Sequence, residues 1–251
     1  LGQFDFKVIG DRLNPLIDVT FDGRHILNRE IISAEPEIVI QLKDENQYLA
    51  LDDTSAFSVF LRYPNGNEEL LNFGSSAGIM EFIPASLPNN QALARLKPRL
   101  SEDGIYAIRI QAFDKSGNAS GKQDYIVEFE IVNQASITHM VNYPNPFSTS
   151  TRFVFTLTGS EIPEQIQIQI MTVTGKVVKE IDQFELGPLH IGNNISQYAW
   201  DGKDEYGDQL ANGVYLYRVK AKLNGNNLDR RDSKLDSFFV KEFGKMYLLR
   251  S

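Results

Sequence analysis

The chain has 251 residues, 42% hydrophobic and 23% charged, which are ordinary proportions for a globular protein and enough length for one large β domain or two small ones. Cysteine is absent, which excludes disulfides, thiol nucleophiles and sulfur-ligated zinc. The net charge of −8 falls in one half. Residues 1–133 carry 12 Lys+Arg against 20 Asp+Glu and residues 134–251 carry 13 against 13, so neither half offers the positive surface that a nucleic-acid backbone requires.

Residues 1–10 alternate through Phe4, Phe6 and Val8 and stop at Gly10, so 1–12 is expected to be a terminal strand of a preceding domain or a linker. No secretory signal pattern opens the chain, and no apolar run approaches the roughly 18 residues of a membrane-spanning helix. Because the opening residues already read as a strand, we expect a piece of a longer polypeptide. Strands follow at 17–21, 37–42 and 57–63, the last turning at Pro64-Asn65-Gly66 to return through 69–73. Shorter strands are expected at 79–83 and 92–96, then longer ones at 105–113 and 125–132. Residues 133–139 are polar and read as a joint. Pro144 and Pro146 fix φ and hold Tyr143 and Asn145 extended, making 141–147 a stiff strap whose Tyr143 and Phe147 dock on a core.

Beyond the strap, strands are expected at 152–157, 165–173, 176–181, 195–200, 213–223 and 245–249. Trp200, the single tryptophan, ends one of them. The loop after it holds Asp201, Gly202, Asp204, Glu205, Gly207 and Asp208 and closes on Asn212-Gly213, a hairpin signal because both residues tolerate positive φ. Two segments echo one another: DGIYAIRIQA at 103–112 aligns with NGVYLYRVKA at 212–221. Many short strands, turn chemistry between them and no helical period indicate an all-β chain of two consecutive immunoglobulin-like β-sandwich domains, at 13–133 and 142–251, with a linker at 134–141.

No catalytic set is expected. Gly74-Ser75-Ser76-Ala77-Gly78 fits G-x-S-x-G, but no strand-to-helix turn surrounds it and only His25 shares its domain, so a flexible Gly/Ser loop is the better reading. Asp201, Asp204, Glu205 and Asp208 could ligate calcium or hydrogen-bond the amides of their own turn, and the second reading is favoured. In the acidic half, Asp44, Asp52 and Asp53, with Glu45 and Asn46 on the same connection and Asp114 near Asn118, are calcium candidates; no other cofactor is expected. One tryptophan at a strand end belongs in a core more readily than on a sugar-binding platform.

NYPNPF at 142–147, VTGKVV at 173–178, WDGKDEYGDQLANGVYLYRV at 200–219 and KMYLLR at 245–250 together resemble the carboxy-terminal sorting domain of type IX secretion cargo, in the variant related to the Ig-like domain of flagellar hook-capping proteins. The likeness covers roughly the last 110 residues. The first domain resembles the Ig-like module that precedes such tails in gingipain-like peptidases and surface adhesins. The resemblance implies a secreted or cell-surface protein of a Gram-negative bacterium that passes through the periplasm. Its tail would meet the type IX translocon, an outer-membrane shuttle and a sortase, with a cut at an exposed linker near Gln134–Met140.

Within that resemblance, Lys245, Met246, Tyr247, Leu248, Leu249 and Arg250 form the partner-binding strand, offering free backbone by strand addition. Tyr143, Pro144, Asn145, Pro146, Phe147, Trp200, Asp201, Gly202, Asp204, Gly207, Gly213 and Tyr215 form its structural motifs. The charged stretch 224–242 departs from the pattern and leaves the pairing of the last strand open. The chain itself is expected to be non-catalytic, although its parent could be a peptidase. An adhesion or carbohydrate-binding module is the alternative.

Overall fold

The structure, a computed structural model, describes residues 11–74, 80–228 and 243–250. The strand expected over 1–10, the serines of the G-x-S-x-G stretch and most of the 224–242 insertion lie outside the described residues. The chain divides into two compact units, residues 1–30 with 34–130 and residues 31–33 with 131–251.

The first unit contains β1 (Leu16–Phe21), the first residue of β2 (Glu30–Ile32), β3 (Ile38–Lys43), β4 (Phe57–Arg62), β5 (Glu68–Leu71), β6 (Met80–Ile83), β7 (Gln91–Leu96), β8 (Gly104–Ala112) and all but the last residue of β9 (Tyr125–Ile131). One sheet runs β1-β3-β7-β6 and the other β2-β9-β8-β4-β5. This is the immunoglobulin division of strands, with β5 and β2 added at the edges of the second sheet. Period-two patterning turns Ile38, Ile40 and Leu42 of β3 and Phe57, Val59 and Leu61 of β4 inward. Tyr106 stacks on Phe129 at 5.8 Å and 7°, and Phe21 meets Phe129 at 5.3 Å. The 64–66 turn forms as expected, with Gly66 at φ +87° and Tyr63 N donating to Asn67 O at 2.8 Å.

The second unit contains β10 (Ser136–Tyr143), β11 (Arg152–Thr158), β12 (Gln165–Thr172), β13 (Val177–Ile181), a one-turn helix α1 (Gln183–Leu186), β14 (Gly192–Ile195), β15 (Gly213–Leu223), β16 (Asn226–Asn227) and β17 (Gly244–Leu248). Its sheets are β10-β11-β14 and β13-β12-β15, where β15 carries β17 along its first half and β16 at its far end. The core between them includes Phe153 against Tyr217 at 5.1 Å and Trp200 against Phe147 and Tyr215 at 5.5 and 5.8 Å.

Three expectations are corrected here. The polar stretch read as a joint and linker is most of β10, paired with β11; Ser136 and Thr158 are buried and satisfy one another through a 2.8 Å hydroxyl contact. Polar composition misled because these hydroxyls have partners across the ladder. Exposure at this joint is confined to Asn133 and Gln134, because Ser136, Ile137, Thr138 and Met140 are buried and Ala135 and His139 half-buried. The strand expected at 195–200 lies at Gly192–Ile195, in the sheet opposite β15, so 196–212 crosses between sheets instead of closing a hairpin. Asn194 conceals that strand, because it is buried with its amide donating to His190 O and Gly192 O at 2.8 Å.

The internal echo has a physical cause. Tyr106, at the start of β8, donates its hydroxyl to Glu102 O at 3.1 Å, and Tyr215, at the start of β15, donates to Ala211 O at 2.8 Å. Each is a tyrosine corner, the device that ties the beginning of this strand to the chain four residues upstream in immunoglobulin-like sandwiches.

Candidate recognition site at the terminal strand

β17 pairs antiparallel with β15, Met246 opposite Tyr215 and Leu248 opposite Gly213. Alternation along it is strict: Met246 and Leu248 are fully buried, while Lys245, Tyr247 (43% exposed) and Leu249 (54% exposed) face solvent. The six residues expected to bind a partner thus have two jobs. Met246 and Leu248 fill the core beside Trp200 and Phe147, and only the outward residues can be touched by another molecule.

The backbone of this strand is not free, which corrects the expectation of strand addition. Its outer edge is covered by the proline strap. Asn145 uses its side-chain amide as a substitute peptide: Nδ2 donates to Lys245 O at 3.0 Å, and Oδ1 accepts from Tyr247 N at 3.0 Å. Phe147 continues the row, its N donating to Tyr247 O and its O accepting from Leu249 N, both at 2.9 Å. Pro144 and Pro146 have no N–H to donate, so the asparagine between them supplies the donor that the strap's main chain lacks. Phe147 docks in the core as expected, but Tyr143 does not; it is 73% exposed.

A second asparagine clips the end of the strand. Asn212 Nδ2 donates to Arg250 O, and Arg250 N donates to Asn212 Oδ1, each at 2.8 Å. The Arg250 guanidinium then reaches into the 201–210 loop and donates to the carbonyls of Leu210 (2.7 Å), Asp201 (2.7 Å) and Gly202 (3.0 Å). This requires glycine at 202, which has φ +74° and where a Cβ would lie 2.6 Å from Arg250 Nη2 and 2.9 Å from Leu248 Cδ2.

The acids of that loop are engaged by their own turn. Asp201 accepts from Lys203 N at 3.2 Å and pairs with Lys203 Nζ at 2.7 Å. Asp204 accepts from Tyr206 N at 3.0 Å and Asp208 N at 2.9 Å, while Gly207 at φ +89° closes the turn. Trp200 Nε1 donates to Lys203 O at 2.8 Å, so the one polar atom of this buried ring is satisfied.

In the first unit, the expected calcium candidates separate. Asp52 and Asp53 both pair with Lys115, at 2.7 and 2.5 Å; hydrogen bonds from Lys115 and Ser55 hold the Asp53 carboxyl down at about 2. Asp44 instead lies with Asp114 and Asp11, one oxygen of each within 4.8 Å of the others. Asp11 was missed by the sequence reading because it belongs to the stretch taken as a neighbour's strand. His25, the one histidine near the G-x-S-x-G stretch in sequence, sits exposed with Nε2 2.7 Å from Asp18.

The two strand arrangements place the chain among proteins built of immunoglobulin-like β-sandwich modules. Residues 144–225 match the family described as FlgD Ig-like domain. No curated protein sequence matches the chain. Among solved structures, it is similar to dimeric latent PorU from Porphyromonas gingivalis, with 16% identity, a TM-score of 0.36 and coverage of 95% of this chain, so the chain spans about a fifth (20%) of PorU. It is also similar to the fibronectin(III)-like modules of Clostridium thermocellum CbhA, with 12% identity, a TM-score of 0.27 and coverage of 93% of this chain and 95% of that one. For the chicken CNTN1 FN1-FN3 domains the values are 12%, 0.29, 89% and 65%. With TM-scores this low, these likenesses add nothing to the architecture read from the strands.

Proposed function

We propose that the second unit is the sorting domain of a type IX secretion cargo protein, and that the first is a non-catalytic Ig-like spacer ahead of it. In this reading the protein is secreted or held at the cell surface after crossing the periplasm, and the tail is received by the translocon and its outer-membrane shuttle before a sortase acts. The four ordered motifs of the tail support it, as does the match of 144–225 to the FlgD Ig-like family. The observation that carries it is the terminal strand. A strand whose alternate residues complete the core holds Lys245, Tyr247 and Leu249 in one outward row, with its backbone engaged by the strap. Recognition would then use side chains on a rigid support.

The test is a combined Lys245→Ala, Tyr247→Ala and Leu249→Ala variant of the full chain on a reporter, assayed for export from a type IX-competent cell. Surface substitutions of this kind change stability by only about 0.5 kcal/mol each, so the melting temperature should hold while export falls at least about tenfold, the effect of losing roughly 1.4 kcal/mol of binding. Normal export by a correctly folded variant would overturn the reading. If a glycan or surface ligand still binds that variant, the adhesion alternative takes its place.

A further inference from the structure

The three converging carboxylates of the first unit point to a site that the proposed sorting function neither uses nor requires. Asp44 follows β3, Asp114 lies between β8 and β9, and Asp11 precedes β1, so three separate stretches of chain meet there. Among the described residues, no lysine or arginine pairs with any of them. Asp44 is 95% buried (5% exposed), and its Oδ1 has no hydrogen-bond partner. Its other oxygen accepts a long 3.4 Å bond from Asn90 Nδ2. A buried carboxylate facing two others is costly to leave uncompensated. Burial, followed by the charges of Asp114 and Asp11, pushes its pKa up, although the Asn46 and Glu45 amides pull the other way.

We infer that Asp11, Asp44 and Asp114 are ligands of a calcium ion that ties these three stretches of the first unit together. Two oxygens on opposite sides of one calcium lie about 4.8 Å apart, twice a Ca–O distance of about 2.4 Å. All three separations fall within that span, the spacing expected of oxygens that share one ion. The donors are all oxygen and sit on irregular loops, which suits calcium's variable geometry better than magnesium's strict octahedron.

The surrounding amides behave as outer partners of a metal site. Asn46 Nδ2 donates to Asp11 Oδ2 at 2.9 Å, and Asn118 Nδ2 donates to Asp114 Oδ2 at 2.7 Å, orienting the carboxylates while leaving each oxygen a further lone pair. Asn118 Nδ2 also donates to Asp11 O at 3.2 Å, and Asn90 Nδ2 donates to Asn46 O (2.8 Å) and Leu49 O (2.9 Å), so the loops around the ion position are already fixed.

The test is calorimetric titration of the chelator-treated full chain with calcium chloride, and in parallel with magnesium chloride. One calcium per chain should bind with Kd between about 10⁻⁵ and 10⁻³ M, the span from weak sensors to extracellular modules, and magnesium at least about tenfold more weakly. Asp44→Asn and Asp114→Asn should each weaken calcium at least about tenfold, whereas Asp52→Asn should leave it unchanged. Without calcium, Asp44→Asn should melt no lower than the native chain. Asp11→Asn, outside the core, supplies the same readout if either buried variant does not fold. No heat up to about 10 mM calcium, well above the weakest sites of this kind, would overturn the inference. So would binding that survives Asp44→Asn and Asp11→Asn, or magnesium binding as tightly as calcium. Export by the sorting tail is indifferent to every one of these outcomes.

Discussion

Tyr106 and Tyr215 do the same work in two sandwiches with one hydroxyl each. A phenylalanine keeps the ring and loses only the bond, so Tyr106→Phe and Tyr215→Phe should each cost about 1 kcal/mol in urea unfolding. Gly202→Ala should cost more, about 1–3 kcal/mol, because the new methyl must displace either the Arg250 guanidinium or Leu248 in an unfavourable left-handed backbone. Asp53 sets a pH dependence. Its folded pKa of about 2 lies below the ordinary 3.8, so the Lys115 pair stabilises fully above about pH 4 and is lost as pH falls towards 2. Asp53→Asn should flatten that part of the acid-unfolding curve. At this scale the sequence was legible where chemistry is local. The turn amides taken by Asp201 and Asp204 were expected, and so was the docking of Phe147. The carboxamides of Asn145 and Asn212 were not, since each acts on backbone 100 or 38 residues away.

At the level of single elements, β17 separates core from surface within five residues. Leu248→Ala and Met246→Ala should each cost about 2–5 kcal/mol, the range for emptying a buried aliphatic site, while Leu249→Ala changes little. Asn145→Ala should free the strand's outer edge, cost about 1 kcal/mol and speed hydrogen exchange at the Tyr247 amide, which the asparagine now holds. Alternating strands such as β3, β4, β12 and β15 were readable because period two survives in sequence. β10 and β14 were not, because their inward residues include Ser136, Thr138 and Asn194, satisfied only by partners that tertiary structure brings in. The helix α1 carried a signal that went unread: Asp182 and Glu185 form a reciprocal capping box.

Across the whole chain, strand rhythm and turn residues sufficed for two all-β sandwiches, since each sheet needs one apolar face to bury. Which strands share a sheet was beyond reach, as the crossing from β14 to β15 shows. The charge balance also belongs to this scale. With −8 overall and no basic half, the chain should pass through a heparin column unretained at low salt. On the sorting reading proposed above, the proline strap carries a last implication for any reagent built to compete with the terminal strand. A synthetic hexapeptide copying KMYLLR would have no Asn145, Phe147 or Asn212 to straighten it, and nothing to hide its methionine and second leucine. Such a peptide would be a poor decoy, whereas a grafted passenger would need the complete sandwich from the strap onward to display those side chains at their native spacing.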